Sequence, residues 1–312
     1  MEINNSLRGR DFISINDFSS DEISYIIKIA HHLKNLQKKG ISQEYLKGKS
    51  LGMIFVKSST RTRVAFEVGI YQLGGNALFL NPNDIQLGRG ELIKDTARVL
   101  SRMLDGIMIR TFAHEDVLEL AKWADIPIIN GLTDLLHPTQ IIADLMTIEE
   151  YKGKLQGIKT VFVGDGNNVA HSLLLGGAKV GMDVVVACPE GFTPDAKILE
   201  LAERDAKLSG ATIRVLHDPI LACQNADVIY TDVWASMGQE AEAEVKEKQF
   251  AKYQVNQELM NQAKKDAIVM HCLPAKRGKE ITDGVIEGPN SVVFEEAENR
   301  LHAHKAIMAA IM

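Results

Sequence analysis

Six short polar clusters hold most of the side chains in this sequence that could do chemistry, and each follows a short apolar run. The first is Ser58-Ser59-Thr60-Arg61-Thr62-Arg63, with four hydroxyls and two guanidinium groups in six positions. If Ser59 or Thr60 caps a helix there, free backbone N–H groups and the positive end of the helix dipole face outward. Hydroxyls and a forked guanidinium on the same turn suit a phosphate. The bland alternative is an ordinary cap followed by solvated arginines. Concentration of these residues directly after a buried run favours an anion site, and leaves the anion unspecified.

Arg110-Thr111 and His137-Pro138-Thr139-Gln140 follow two further apolar runs. His137 stands just before a proline suited to the first position of a helix. Arg110 and His137 together could donate to a carbonyl oxygen that gains charge in a tetrahedral transition state. The remaining clusters are Asp165-Gly166-Asn167-Asn168, the run from Asp232 to Ser236-Met237-Gly238, and Cys272-Leu273-Pro274. Gly164 to Val169 looks like a dinucleotide fingerprint, but Val169 replaces its third glycine. The next apolar run ends Ala187-Cys188-Pro189, where a ribose-binding acid would stand. A nicotinamide cofactor is therefore not expected, and neither a Walker loop, a paired zinc-ligand motif nor a nucleophile elbow is present. Taken alone, Cys272 reads as a buried thiol at a strand end rather than as a nucleophile.

The elements that must position these clusters alternate. Short β-branched runs and longer helix-period segments give an α/β fold with mostly parallel sheets flanked by helices. Strands are expected at Leu51–Val56, Ala77–Leu80, Gly106–Arg110 and Pro127–Asn130 in the first half. In the second half they are expected at Thr160–Val163, Val184–Ala187, Ile213–Leu216, Val228–Asp232 and Ile268–His271. A first helix over Asp21–Lys39 has a Ser19/Glu22 capping box and one face of Ile23, Ile26, Ile27, Ala30 and Leu33. A helix following the first cluster aligns Val64, Val68 and Tyr71, and others are expected over Pro138–Tyr151, Val169–Val180 and Glu296–Met312. The polar, glycine-containing turn Lys152 to Gly157 marks a boundary between domains 1–150 and 151–312, with the last helix packing back on the first domain. Open parallel sheets bind ligands at the carboxyl ends of their strands, so the clusters are expected to converge on one cleft.

Bulk properties agree with this reading. A length of 312 residues suits two cores, and 46% hydrophobic with 24% charged residues is ordinary for a globular chain. A net charge of −6 argues against nucleic acid or a membrane surface as partner, so an anion site must be a local cluster. Three scattered cysteines argue against a disulfide framework, and no leader or membrane span is recognisable, so a cytoplasmic location is expected.

On these residues the chain resembles the carbamoyltransferase family, and within it the ornithine branch. Ser59 to Arg63 and His137 to Gln140 are similar to that family's carbamoyl phosphate signature. Asp232 with Ser236-Met237-Gly238, and His271-Cys272-Leu273-Pro274, are similar to the motifs of the ornithine branch. The aspartate branch has His-Pro-Leu-Pro at the second place. The match runs in order from about residue 7 to the end, and includes Asp84 to Gly90 and Glu296 to Arg300.

The resemblance implies transfer of a carbamoyl group from carbamoyl phosphate to the side-chain amine of ornithine, giving citrulline and phosphate, a step of arginine metabolism. It implies that Ser59, Thr60, Arg61 and Thr62 hold phosphate, and that Arg110 bridges phosphate and carbonyl. His137, in the Pro138-Thr139-Gln140 turn, would polarise the carbonyl. Gln140 and carbonyl groups near Cys272 and Leu273 would bind the carbamoyl amine, and Arg300 would face the carbamoyl group. Asn168, Asp232, Ser236 and Met237 would take the amino-acid end of ornithine, with Cys272 beside the reacting amine. Gln86 would reach a neighbouring subunit in a homotrimer or multiple of trimers. No metal and no cofactor are expected. Independently of the resemblance, the second-half cluster has an acid and two asparagines but no Lys or Arg, which suits a diamino acid better than a dicarboxylate. Rival readings are a carbamoyltransferase for putrescine or an acylated ornithine, a nicotinamide oxidoreductase, and an inactive scaffold.

Overall fold

The computed structural model describes residues 3–235 and 243–312. It divides into two compact units, Met1–Met146 with Glu298–Met312, and Thr147–Ala297. The division falls inside the helix that carries the expected boundary.

The first unit is built on four parallel strands, β1 (Ser50–Phe55), β2 (Asn76–Leu80), β3 (Gly106–Arg110) and β4 (Ile128–Leu132), in the order β2-β1-β3-β4. β1, β3 and β4 are buried almost throughout, as expected of strands covered on both faces. β2 is an edge strand and is largely exposed. The helices are α1 (Ser20–Lys38), α2 (Thr60–Gln72), α3 (Ile93–Leu100), α4 (His114–Trp123) and α5 (Pro138–Lys152). α1 has the expected capping box, and its five-residue apolar face from Ile23 to Leu33 is buried, each Ile or Leu side chain worth about 1.5–3 kcal/mol. α2 behaves differently. Ala65, Phe66, Gly69 and Ile70 face the core, while the expected stripe of Val64, Val68 and Tyr71 faces outward at 52%, 37% and 77% exposure. The three side chains share one face as their spacing predicts, and in the single chain that face is turned outward, because the helix has two apolar faces and periodicity does not rank them.

The second unit has five parallel strands, β5 (Lys159–Val163), β6 (Asp183–Ala187), β7 (Ile213–Leu216), β8 (Val228–Thr231) and β9 (Ile268–His271), ordered β7-β6-β5-β8-β9. Its helices are α6 (Asn168–Val180), α7 (Ala196–Ser209), α8 (Pro219–Cys223), α9 (Ala243–Phe250), α10 (Gln257–Met260) and α11 (Asp283–Ile286). α6 is covered almost throughout its length, and Gly177 exists for packing: a Cβ there would come within 2.4 Å of Val184.

The last helix, α12 (Val293–Ile311), returns to the first unit as expected. Asn299 accepts from Lys34 Nζ at 2.7 Å, and His304 stacks on Phe66 with ring centroids 4.1 Å apart. Lys305 is wholly buried, and its ammonium donates to the side-chain oxygens of Gln37, Gln43 and Gln72 at 2.7, 3.1 and 2.9 Å. Burial without a carboxylate pulls its pKa down to about 8. Among the described residues no helix is long and apolar enough to cross a membrane.

Candidate active-site residues

In the first unit the polar residues gather where β1, β3 and β4 end. Ser59 caps α2 by accepting from the Thr62 N–H at 3.2 Å, and the two hydroxyls are hydrogen-bonded at 3.1 Å. This puts Thr60 and Arg61 on the first turn of α2, with Thr62 fully buried beneath them. Arg110, the last residue of β3, donates from Nη1 to the Thr62 hydroxyl at 3.3 Å. Arg300, from α12, donates from Nη2 to the same oxygen at 2.7 Å. Two guanidinium groups, 8% and 3% exposed, therefore meet on one hydroxyl at a helix N-terminus. Positive charge held this way is a preorganised site for an anion.

His137 lies directly before α5 and is 4% exposed. Burial pushes its pKa well below the usual histidine value, and the charges of Arg300, Arg110 and Lys57 push the same way. The ring is thus neutral at physiological pH, a polar group that neither repels the arginines nor competes for an anion. The turn that carries it is tied down locally: Thr133 N–H donates to Leu136 O at 2.8 Å, and Lys57 pairs with Asp134 at 3.0 Å. Pro138, Thr139 and Gln140 are buried at the start of α5. Gln140 spends its amide N–H on Asp144 Oδ1 at 2.8 Å, one turn ahead, which fixes the orientation of its carbonyl. Gln86 lies apart from this group, exposed in a short helical turn, Gln86–Arg89, beyond the edge strand β2.

In the second unit the polar residues follow β5, β8 and β9. Asn167 caps α6, accepting from the Val169 and Ala170 N–H groups, and donates from Nδ2 to Asp232 Oδ2 at 2.9 Å. Asp232 is 7% exposed and its other oxygen accepts from the Val233 N–H at 2.8 Å and from Cys272 Sγ at 3.2 Å. Asn168 is buried on the first turn of α6. Cys272 stands on the loop directly after β9, which ends at His271; the residue is partly exposed while its thiol is enclosed beside Asp232 and His271. Cys188 and Cys223 are the buried thiols, both raised to about 12 chiefly by burial. Ser236, Met237 and Gly238 lie outside the described residues.

The dinucleotide-like segment has another use. The Gly166 N–H donates to Phe192 O at 2.9 Å, and a Cβ at Gly166 would fall 2.3 Å from Pro194 N. That glycine admits the protein's own backbone at the place where a pyrophosphate approaches in nicotinamide enzymes. Asp165 is engaged by Lys246 at 2.7 Å. The donor atoms of Asp232, His271 and Cys272 lie within 4.8 Å of one another, a grouping that their spacing along the chain does not announce. Both ring nitrogens of His271 and the thiol are already in hydrogen bonds within the protein.

Sequence reasoning left several of these partners out. Lys57 had a legible signal, since it follows a strand at the edge of a polar cluster already singled out. Lys246 and His304 had none, because an ion pair over 81 residues and a ring stack on α12 are decided by packing.

Residues 10–150 match the profile of the aspartate/ornithine carbamoyltransferase carbamoyl-P binding domain, and residues 156–311 that of the Asp/Orn binding domain. The ornithine carbamoyltransferase of Oceanobacillus iheyensis is 61% identical over 306 residues, spanning 98% of this chain and 95% of that one. That of Thermococcus kodakarensis is 60% identical, spanning 98% of each chain. The solved structure of ornithine carbamoyltransferase from Pyrococcus furiosus superposes with a TM-score of 0.96 at 57% identity, again over 98% of each chain. With both profiles matched in order across nearly its whole length, the chain belongs to the aspartate/ornithine carbamoyltransferase family.

Proposed function

We propose that this protein transfers the carbamoyl group of carbamoyl phosphate to the side-chain amine of ornithine, yielding citrulline and phosphate. The observation that carries the donor half is the meeting of Arg110 and Arg300 on the Thr62 hydroxyl, with a neutral, buried His137 under the influence of both charges. Ser59, Thr60, Arg61 and Thr62 take the phosphate. Arg110, His137 and Thr62 stabilise the oxyanion as the neutral amine attacks the carbamoyl carbon. Phosphate leaves with its charge already compensated by Arg61, and no covalent intermediate with the protein is required.

The acceptor half rests on Asp232, held by Asn167 near Asn168, in a cluster whose one lysine, Lys246 among the described residues, is paired with Asp165. One carboxylate and two amides match a substrate with one carboxylate and two amines. Cys272 and Leu273 complete the set through the thiol and the backbone carbonyl groups. Relatives at 57–61% identity are named for ornithine, which supports the same choice.

The working form is a homotrimer or a multiple of trimers in the cytoplasm, with Gln86 given to a neighbouring subunit. Support comes from the outward face of α2 and the edge strand β2, where Val64, Val68, Tyr71, Leu78 and Phe79 are all more than a third exposed in the single chain. A patch of this kind beside an unpaired strand edge is a surface for a second copy.

The deciding experiment is a colorimetric citrulline assay with carbamoyl phosphate and a panel of amines. Ornithine should be turned over fastest. Faster turnover of putrescine, N-acetylornithine or aspartate would replace the acceptor assignment, and no turnover of any amine would end the reading.

A further inference from the structure

We infer that Glu280 is a positioning residue for the Cys272–Leu273 loop, and that it acts by fixing which nitrogen of His271 carries the proton. The inference rests on the proposed function, which gives the loop's carbonyl groups and thiol to the substrates.

Leu273 has φ +56, in the left-handed region that leucine enters only under constraint. The constraint is visible: its N–H donates to Nδ1 of His271, two residues back, at 2.9 Å. A ring nitrogen accepts only while it carries no proton, so the His271 proton must sit on Nε2. Nε2 faces Oε1 of Glu280 at 3.1 Å. The same carboxylate oxygen accepts the Lys276 N–H at 2.5 Å, so Glu280 ties both ends of the segment from His271 to Lys276. The His271 N–H is held in turn by Glu296 Oε2 at 2.9 Å. His271 and Glu280 are 0% exposed and Glu296 is 1% exposed, so the ring is shielded from solvent that could supply another partner.

A simple brace would need only shape and two hydrogen bonds. This arrangement needs an acceptor at Nε2. Oε1 of Glu280 supplies it while also accepting the Lys276 N–H, and a glutamine keeps its amide oxygen in that place, because turning it would set N–H against N–H at Lys276. A leucine supplies no acceptor. The imidazole proton is then free to move to Nδ1, where it meets the Leu273 N–H donor to donor. The hook on Leu273 would open, and the loop would lose the conformation that aims its carbonyl groups.

The first test compares Glu280→Leu, which removes the acceptor, with Glu280→Gln, which keeps it. With 15N-labelled histidine, the wild-type His271 signal, identified by its loss in His271→Asn, should show the Nε2–H tautomer. In Glu280→Leu it should shift toward Nδ1–H, and in Glu280→Gln it should stay. The kcat for citrulline should fall by roughly ten- to a hundredfold in Glu280→Leu, the range for a reacting group displaced by about 1 Å, and be largely kept in Glu280→Gln. The second test replaces the hook itself. In His271→Asn the amide oxygen can accept from the N–H two residues on, as in an Asx-turn, with no tautomer to set. That variant should be more active than His271→Leu, and adding Glu280→Leu to it should cost little more.

Unchanged kcat and KM in Glu280→Leu would overturn the inference, as would a wild-type Nδ1–H tautomer or losses that multiply independently in the double variant. If Glu280→Leu does not fold, equal losses in His271→Asn and His271→Leu overturn it, and the expected difference supports it. Failure of the wild-type protein to make citrulline would instead sink the proposed function, because the tautomer is read without substrate.

Discussion

Arg300 and Thr62 are 238 positions apart in the chain and joined by a 2.7 Å hydrogen bond, the C-terminal helix reaching the first turn of α2. Arg110 takes the other side of the same hydroxyl at 3.3 Å. The Ser59 hydroxyl lies 3.1 Å from the same oxygen, so three polar side chains meet on Thr62. Thr62 is thereby a fixed point for two buried cations.

Thr62→Val keeps the shape and removes that point. It should lower kcat by about a hundredfold, comparable to removing one donor from an oxyanion hole. Arg300→Lys should also be impaired, since an ammonium keeps the charge but not the planar fork. Both follow from citrulline assays at saturating substrates. Wild-type kcat in Thr62→Val would mean that the convergence is structural only.

Arg61→Ala and Asp232→Ala should separate the two substrates. The first should raise the KM for carbamoyl phosphate and the second that for ornithine, each by a loss on the order of 2–5 kcal/mol for an unpaired, partly desolvated charge contact. Titration of each ligand against each variant checks the assignment. Mild losses of equal size for both ligands in both variants would contradict it.

Acid should weaken the first unit through its histidines. His137 and His304 lie well below the usual value of 6.5 and His302 is at about 3, each chiefly through burial. Below pH 6.5 the unfolded chain binds protons that these folded rings refuse. Stability is therefore full above that pH and falls as pH drops toward 3, by at most about 1.4 kcal/mol per pH unit for each ring. Urea midpoints at pH 7, 6 and 5 should decline, and His302→Gln should flatten the decline. A midpoint that holds steady from pH 7 to 5 would contradict burial of the neutral rings. Over pH 6 to 8 these rings stay neutral, so a rise in kcat/KM for ornithine there belongs to the substrate amine, whose pKa is about 10.4 in free lysine-like form.

Cys272 should be the thiol that reacts. Iodoacetamide near pH 8 should modify it first and abolish activity, with ornithine protecting, while Cys188 and Cys223 at about 12 stay unmodified. Peptide mapping by mass spectrometry reads the site. First modification at Cys188 or Cys223 would show the burial to be wrong.

Assembly can be tested by complementation. Arg61→Ala and Gln86→Ala, each nearly inactive, should after dissociation and reassociation in equal amounts recover roughly a quarter of the sites, by counting arrangements on a three-fold ring. Tyr71→Glu, at a residue 77% exposed in the single chain, should leave smaller species in light scattering. If exchange is confirmed and activity stays at parental levels, Gln86 is not supplied in trans.

The sequence by itself determined the elements and the places where chemistry gathers. Alternation of buried runs and helix-period segments located β3, β7 and β9 at their observed bounds, and the Ser19/Glu22 box placed the start of α1. It did so because these signals are local: a capping residue, a β-branched run and a turn act within a few positions. The Ser59 cap and His137 before Pro138 were legible for the same reason. Tertiary structure alone decided what is long-range. It turned Val64, Val68 and Tyr71 outward, because two apolar faces of α2 compete and the packing of Phe66 and Gly69 against α12 ranks them. It brought Arg300 to Thr62, lodged Lys305 among three glutamines and freed Cys272 from the sheet. A side chain's partner across a hundred or more residues depends on how helices settle on a sheet, and no periodicity within either segment contains that information.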